Sequence, residues 1–443
     1  MVMVDDLPVV VVGAGPQGLA AAAHLLERGL QPLVLEAGSE PAAAVRAWGH
    51  VRLFSPWPEL VDAASVRLLA GTGWRAPTEG YPTGAEWVEG YLAPLARTLG
   101  ERVRCSTRVV GVSRKGRDRL VSPGRAEQPF VVHVVDTDGT ESRVEARAVV
   151  EASGTWGSPN PAGADGLPAI GERAAARTGA LTYSPPTPGE AAVLAGRRVV
   201  VVGSGHSAST AVIELAEVAR RHPGTQVSWV LRRGVVGDTF GGGQADELPQ
   251  RGRLGQRARA TVDAGLVRMV TGFRVAAFEQ DAGSLVLVSE DDRRLTADHV
   301  VTLTGFRPDL SFLSEVRLDL DPVLEAPRAL AAQVDPNLHS CGSVLPHGAK
   351  ELTQPEPGFY LVGMKSYGRA PTFLALTGYE QVRSVAAALA GDVEAAARVE
   401  LTLPDTGVCG GSGLFDAPEA AGGCCGAPGA QDVQLVPPAM SRG

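Results

Sequence analysis

Cysteine is scarce in this chain, five residues in 443. A disulfide framework is therefore excluded, and a reducing, cytoplasmic setting is expected. Excess positive charge is also missing: 41 Lys and Arg stand against 49 Asp and Glu, a net charge of −8. That balance argues against a nucleic-acid partner or an anionic membrane surface. No apolar run reaches the length of a membrane-spanning helix. Met1 to Asp6 carry two acids where an export leader has a basic stretch, so no leader is expected. What remains is ordinary globular composition, 44% apolar and 20% charged. A chain of 443 residues exceeds what one hydrophobic core holds, so two or three domains are expected.

The first pattern begins at Pro8 to Val12, PVVVV, a continuous β-branched run of the kind a buried parallel strand needs. Gly13-Ala-Gly-Pro-Gln-Gly18 follows at once. A helical spacing runs from Leu19 to Arg28 and stops at Gly29; a second apolar strand, Leu33 to Leu35, ends on Glu36. Gly13 makes the tight turn, Gly15 lets backbone approach a pyrophosphate, and Gly18 lets helix and strand pack closely. The helix N-terminus offers free N–H groups and a positive dipole end to the phosphates. Glu36 suits a ribose diol and repels a 2′-phosphate, so this site favours FAD or NAD over NADP.

Arg198 to Val202, RVVVV, repeats the pattern and leads into Gly203-Ser-Gly-His-Ser-Ala208. A helix is expected from about Ser209 to Arg221, and a strand over Val227 to Leu231 that ends in Arg232-Arg233. Two guanidinium groups now stand where the first site has an acid. They suit the 2′-phosphate of NADPH through charge-assisted hydrogen bonds; a solvated surface pair is the alternative. His206 opens the helix, where it is either a phosphate contact or a spectator.

Two dinucleotide sites of opposite preference imply electron transfer from NADPH to FAD. Ala148–Gly154 (AVVEASG) and His299–Gly305 (HVVTLTG) each read as an apolar strand ending in small residues, the form expected where a chain crosses between domains. Tyr360–Met364 is one more strand, followed by a helix over about Phe373–Leu389. The expected fold class is α/β, with two Rossmann-like dinucleotide-binding domains and the FAD domain split by an inserted NADPH domain. The expected boundaries are 1–160 and 301–395 for the FAD domain, 161–300 for the NADPH domain, and 396–443 for a Cys-containing tail that reads as flexible from its Gly, Ala and Pro content.

With GAGPQG, ASGTWGSPNP, GSGHSA, TGFRPD and GFYLVGMKSYGRAPTFLALTGYEQVRS in this order, the chain resembles the two-dinucleotide-binding-domain flavoproteins. Within them it is most similar to the flavin-containing monooxygenases. The resemblance implies FAD on Gly13, Gly15, Pro16, Gln17, Gly18 and Glu36. It places Arg46 and Trp48 near the FAD ribose and pyrophosphate, Val109 beside adenine, and Met364 through Thr372 at the isoalloxazine. It implies NADPH on Gly203, Ser204, Gly205, His206, Ser207, Arg232 and Arg233. The activity implied is oxygen transfer from a C4a-peroxyflavin to a small molecule, with O2 as co-substrate and no catalytic side chain identified. The family's FxGxxxHxxxY-type signature is absent, and Gly166 to Ser184 hold no histidine. The Asp that disulfide reductases carry after the last strand is replaced by Met364-Lys365.

HVRLFSPW, HSCGSVLPHG and the cysteine tail are similar to flavin monooxygenase-like proteins of bacterial arsenic-resistance operons. Cys409, Cys424 and Cys425 together suit a trigonal thiolate site for a trivalent metalloid; an inert tail is the alternative. No C-x-x-C occurs, which weakens a thioredoxin-reductase reading. A thiol-linked metal(loid) reductase, or a metalloid-binding sensor, stands beside the monooxygenase as a second reading. His339, Cys341 and His347 match no standard zinc spacing and read as a structural loop, and Cys105 reads as a buried strand residue.

Overall fold

A computed structural model describes residues 4–234, 236–241, 246, 248–281, 283–338, 344–370 and 373–401. Thr372, His339, Cys341, Cys409, Cys424 and Cys425 lie outside the described residues.

The two β-branched runs form the centres of two parallel sheets. In the first, the five strands stand in the order Phe359–Leu361, Ala148–Glu151, Val9–Val12, Pro32–Leu35, Val103–Arg104. In the second the order is Val267–Val270, Gln226–Val230, Arg198–Val202, His299–Thr302, Leu181–Thr182. All pairings within these sheets are parallel. Strand Val9–Val12 is buried on both faces, which is why its sequence does not alternate. The first sheet draws strands from both ends of the chain, and the second sheet's strands lie between them. This is the α/β arrangement of two Rossmann-like domains, one inserted into the other.

One face of each sheet carries helices. Helix α1, Pro16–Glu27, begins three residues ahead of the expected Leu19, because proline at the first helical position loses no hydrogen bond. Its alanines pack on Val9 and Val11 with helix α4, Ala375–Leu389, behind. Helix α2, His206–Arg221, and helix α3, Pro249–Asp263, cover the second sheet. The opposite faces carry three-stranded antiparallel sheets. Thr107–Arg114, Phe130–Asp136 and Glu141–Ala146 bury Val112, Phe130 and Val132 against Val10, Val12 and Leu35. Val275–Asp281, Ser284–Ser289 and Arg294–Ala297 bury Phe278, Leu285 and Leu287 against Val200 and Val230. Each domain is thus three layers thick with a core on either side of its parallel sheet. None of the described helices is long and apolar enough to cross a membrane.

The first domain carries a buried ionic knot. Glu356 is 1% exposed and accepts from Arg114 Nε at 2.8 Å and Arg125 Nη2 at 2.6 Å. Arg114 also donates to Gln128 O at 2.7 Å and lies 3.7 Å over the Phe130 ring. Burial alone would raise the Glu356 carboxyl, but the two guanidinium hydrogen bonds overcome it and hold the group below its ordinary value. A depressed folded-state value contributes stability above the ordinary carboxyl range and loses it as pH falls through that range. We expect the urea midpoint of the wild type to fall as pH is lowered below about 4.5. Glu356→Gln should start about 3–5 kcal/mol less stable at pH 7, since two buried cations lose their partner. It should also lose less on acidification; an identical acid slope in both proteins would remove Glu356 as the cause.

Candidate functional site

The two glycine turns are built alike. Gly13 N–H donates to Leu35 O at 2.7 Å, and Gly203 N–H to Val230 O at 3.1 Å. Each ties the turn to the end of the neighbouring strand. Both first glycines have positive φ, +97° and +128°. A β-carbon on Gly13 would stand 2.8 Å from Ser153 Cα, and one on Gly203 would stand 2.2 Å from Leu303 O. A β-carbon on Gly18 would stand 1.9 Å from Gly13 O. By contrast, nothing lies within 4 Å of a β-carbon placed on Gly15 or Gly205. The second glycine of each turn faces open space at a helix N-terminus whose cap carries no side-chain hydrogen bond. That is the cradle a pyrophosphate requires.

Glu36 braces the first turn. Its Oε2 accepts from Ala14 N–H at 2.8 Å and its Oε1 from Gly38 N–H at 2.7 Å. A carboxylate has about four acceptor positions, so both oxygens keep room for a ribose diol. Ala42 N–H donates to Ala14 O at 2.9 Å, which sets the short helix Ala43–Ala47 beside the turn. Arg46 on that helix pairs with Glu40 at 3.1 Å and Glu89 at 2.9 Å. Trp48 packs so closely on Gly84 that a β-carbon there would stand 2.7 Å from the ring. Thr107 N–H donates to Glu36 O at 2.8 Å, and Val109 follows two residues on in the same strand. Cys105 lies just after strand Val103–Arg104 and is half-buried, not a buried strand residue as expected. It follows Arg104, whose carbonyl takes the Glu36 N–H, so its place is set by the strand's end and not by the core.

Gln17 joins the two halves of the split domain. Its Nε2 donates to Ala375 O at 3.1 Å, and Gly363 and Gly378 leave space for its side chain. Gly363 N–H donates to Gln381 Oε1 at 2.7 Å, and Gln381 Nε2 in turn reaches Ser366 Oγ and His347 Nε2, each at 2.8 Å. His347 is therefore a core residue. Met364 is exposed at 37%, an apolar side chain left open beside this lock.

In the second site, Trp229 Nε1 donates to Gly203 O at 2.7 Å and fixes the turn from the next strand. Ser204, Gly205 and His206 are exposed, and Ser207 is partly so. Arg232 is exposed and donates to Ala164 O at 3.3 Å, whereas Arg233 is buried, so the two arginines point to different surroundings. Although His206 is exposed as a residue, the protein crowding its imidazole, with Arg251 nearby, pushes it down from its ordinary value. Arg251 was not marked by sequence; it is held by Asp246 at 3.0 Å at the start of α3.

Two connectors leave the strand ends Glu151 and Thr302 and lie side by side. Asn160 N–H donates to Gly305 O at 2.8 Å, Thr304 Oγ1 to Asn160 O at 2.7 Å, and Arg307 Nε to Asn160 Oδ1 at 2.7 Å. Trp156 and Phe306 pack with ring centroids 5.1 Å apart. Lys365, 2% exposed, donates to Glu151 Oε1 at 3.0 Å, Ser153 Oγ at 2.7 Å and Asp309 O at 3.1 Å. It pins both connectors to the last strand. Among the described residues no group of three or more His, Cys, Asp or Glu is placed to hold a metal.

The fold and these paired turns define a flavin- and nicotinamide-dependent oxidoreductase. The chain belongs to the pyridine nucleotide-disulphide oxidoreductase family, which it matches over residues 10–327. Its cofactors are FAD and NADPH. It is 28% identical over 322 residues to a ferredoxin–NADP reductase of a Nocardioides species, covering 71% of this chain and 78% of that one. Its fold is similar to a bacillithiol disulfide reductase from Bacillus cereus, with TM-score 0.64, 20% identity, and coverage of 87% and 99% of the two chains. It is likewise similar to a variant of a flavin monooxygenase from Stenotrophomonas maltophilia, with TM-score 0.57, 23% identity, and coverage of 87% and 98%.

Two substitutions separate folding from cofactor retention. Gly18→Ala drives a methyl into backbone and should yield protein that is both destabilised and colourless. Gly15→Ala meets open space, so stability should change by no more than about 1 kcal/mol, while flavin content per chain falls. Full flavin content in Gly15→Ala would dissociate the cradle from the cofactor.

Proposed function

We propose that this protein is an NADPH-dependent flavin monooxygenase. In this reading FAD lies along Gly13, Gly15, Pro16, Gln17 and Gly18, with its ribose on Glu36 and its adenine beside Val109. Arg46 and Trp48 flank the ribose and pyrophosphate, and Met364 faces the isoalloxazine. NADPH lies along Gly203, Ser204, Gly205, His206 and Ser207, with Arg232 and Arg233 at the 2′-phosphate end.

The observation that carries the reading is the place of Cys105, the single cysteine among the described residues. It sits at the Glu36 end of the first site, and burial, with Glu36 and Glu40 nearby, pushes its thiol up. A thiol there is neither activated nor near the Met364 end, so it does not serve as an electron acceptor. Oxygen is the acceptor that this reading assigns; the other four cysteines lie outside the described residues. Bound FAD would supply the redox chemistry between NADPH and O2, with one oxygen atom going to the substrate and the other, with the hydride of NADPH and one proton, to water. The chain's own part is to hold both dinucleotides on helix N-termini and to keep the connectors closed around the junction. The substrate class is a small soft nucleophile or carbonyl compound, and the sequence resemblance favours a trivalent arsenical.

A second reading has one observation in its favour. Residues 395–401 run back along α4, held by Arg383 Nη1 to Ala395 O at 2.8 Å, Ser384 Oγ to Ala396 O at 2.6 Å and Glu400 N–H to Glu380 Oε1 at 3.3 Å. Leu401 then shares a cleft with Leu376, near the α4 end that meets Gln17. The last described residue thus lies beside α4, and a thiol-linked metal(loid) reductase or binder using Cys409, Cys424 and Cys425, which lie outside the described residues, is the second reading.

Product analysis under labelled oxygen decides between them. With arsenite, methylated trivalent arsenicals, sulfides and ketones as the panel, we expect one product to carry one labelled oxygen per NADPH consumed, unchanged in Cys424→Ser/Cys425→Ser. Peroxide as the sole oxygen product with every compound would overturn the monooxygenase. Loss of turnover in the double variant would favour the thiol enzyme. Separately, Arg232→Ala should raise the KM for NADPH by roughly 10- to 150-fold, the cost of about 1.5–3 kcal/mol for a lost charged hydrogen bond. The KM for NADH should hardly move.

A further inference from the structure

The segment His50 to Trp57, HVRLFSPW, belongs to the first domain yet meets the second at two points. It is held firmly on its own side. Leu53 N–H donates to Pro82 O at 2.9 Å, Trp57 N–H to Gly80 O at 3.1 Å, and Gly84 N–H to Val51 O at 2.9 Å. The Trp57 ring packs on Gly90, where a β-carbon would stand 2.9 Å from it. This anchoring presents Phe54 at a fixed place. There its ring meets the His206 imidazole edge-on, with centroids 4.8 Å apart and planes at 72°. His206 is the first residue of α2, in the second glycine turn. At the other end of the segment, His50 lies close enough to Glu190 to lower that carboxyl, after the larger effect of the Thr187 backbone hydrogen bond. Glu190 belongs to the second domain, on the short helix Pro188–Val193. His50 Nε2 is buried without a hydrogen-bond partner.

We propose that this segment is a latch across the second glycine turn, and that NADP(H) must move Phe54 off His206 to lay its pyrophosphate on the α2 N-terminus. The inference rests on the second turn being the NADP(H) site. The argument is geometric. The open space over Gly205 is the phosphate position, and His206 is the next residue. The open space at Gly205 adjoins the His206–Phe54 contact, so a dinucleotide laid on the α2 N-terminus and Phe54 compete for the same neighbourhood. The contact also suits the closed state: the Phe54 ring edge covers one side of an imidazole whose residue is otherwise exposed, and the protein crowding that ring, with Arg251 nearby, lowers it from its ordinary value. Opening the latch uncovers the side of the ring that Phe54 holds and lets it gain charge beside the incoming phosphates.

The latch stabilises the nucleotide-free arrangement, so removing it should tighten nucleotide binding. In the FAD-loaded protein, Phe54→Ala should bind NADP+ about 2- to 10-fold more tightly, the worth of one aromatic contact, measured by titrating the flavin absorbance. The His206 ring resonance, assigned with His206→Gln, should titrate at higher pH in the same variant. Phe54→Leu, which keeps most of the bulk, guards against a folding defect and should fall between the two. Tighter binding together with the raised titration supports the latch. Unchanged or weaker binding, or an unmoved titration, overturns it; weaker binding would mean that Phe54 holds the nucleotide. If Arg232→Ala leaves NADPH affinity as it was, the assignment of the second site fails instead, independently of Phe54.

Discussion

The two connectors between the domains are hydrogen-bonded to each other, and Asn160 is the residue that joins them. It serves the carbonyl of Gly305, the hydroxyl of Thr304 and the guanidinium of Arg307 at once. Each connector also presses on one glycine turn, Ser153 on Gly13 and Leu303 on Gly203. The conformation of each glycine turn is therefore set by the crossing of the chain. Neither connector can shift without disturbing a turn, its partner, or both. Positive φ at the two first glycines is the backbone's answer to this crowding, since a side chain would collide with the connector.

Lys365 extends the same constraint to the C-terminal part of the first domain. A buried ammonium is tolerated only with full pairing, and here one carboxylate, one hydroxyl and one carbonyl supply it. Two of those partners belong to the first connector's strand end and one to the second connector. The ion pair therefore gives the junction a unique register and does not serve chiefly as a source of stability. With Phe54 set against His206 and His50 near Glu190, the domains also meet through side-chain contacts away from the covalent crossing. That combination permits relative motion about the crossing while keeping the crossing itself intact.

The features visible in the sequence are those carried by neighbours in the chain. Strand, glycine turn and helix are contiguous at Val9–Gly18 and Arg198–Ala208, and Glu36 ends the very next strand. The connectors read clearly because small residues follow an apolar run at Ala152 and Leu303. The apolar spacing places the helix starts too late, at Leu19 and Ser209, because Pro16 and His206 do not look like core positions yet are good first residues of a helix. What sequence did not reveal are pairs of distant residues with no local period. Lys365 meets Glu151 across 214 positions and Arg114 meets Glu356 across 242. Arg232 and Arg233 looked equivalent as neighbours; the end of the strand sends one to the surface and one inward.

The Gln17–Ala375 hydrogen bond spans 358 residues, and this distance governs biosynthesis. The strands of the second sheet are contiguous in the chain and can assemble as soon as they are made. The first cradle is different, because its sheet waits for Phe359–Leu361 and its helix layer for α4. At about 5–20 residues per second, roughly 20–70 s separate the synthesis of Gln17 from that of its partner. During that interval the alanine face of α1 lacks the cover that α4 gives it, whereas Val10 and Val12 on the other face already have the 107–146 sheet. The Gln17–Ala375 lock that closes the first glycine turn is consequently among the last contacts the growing chain can make.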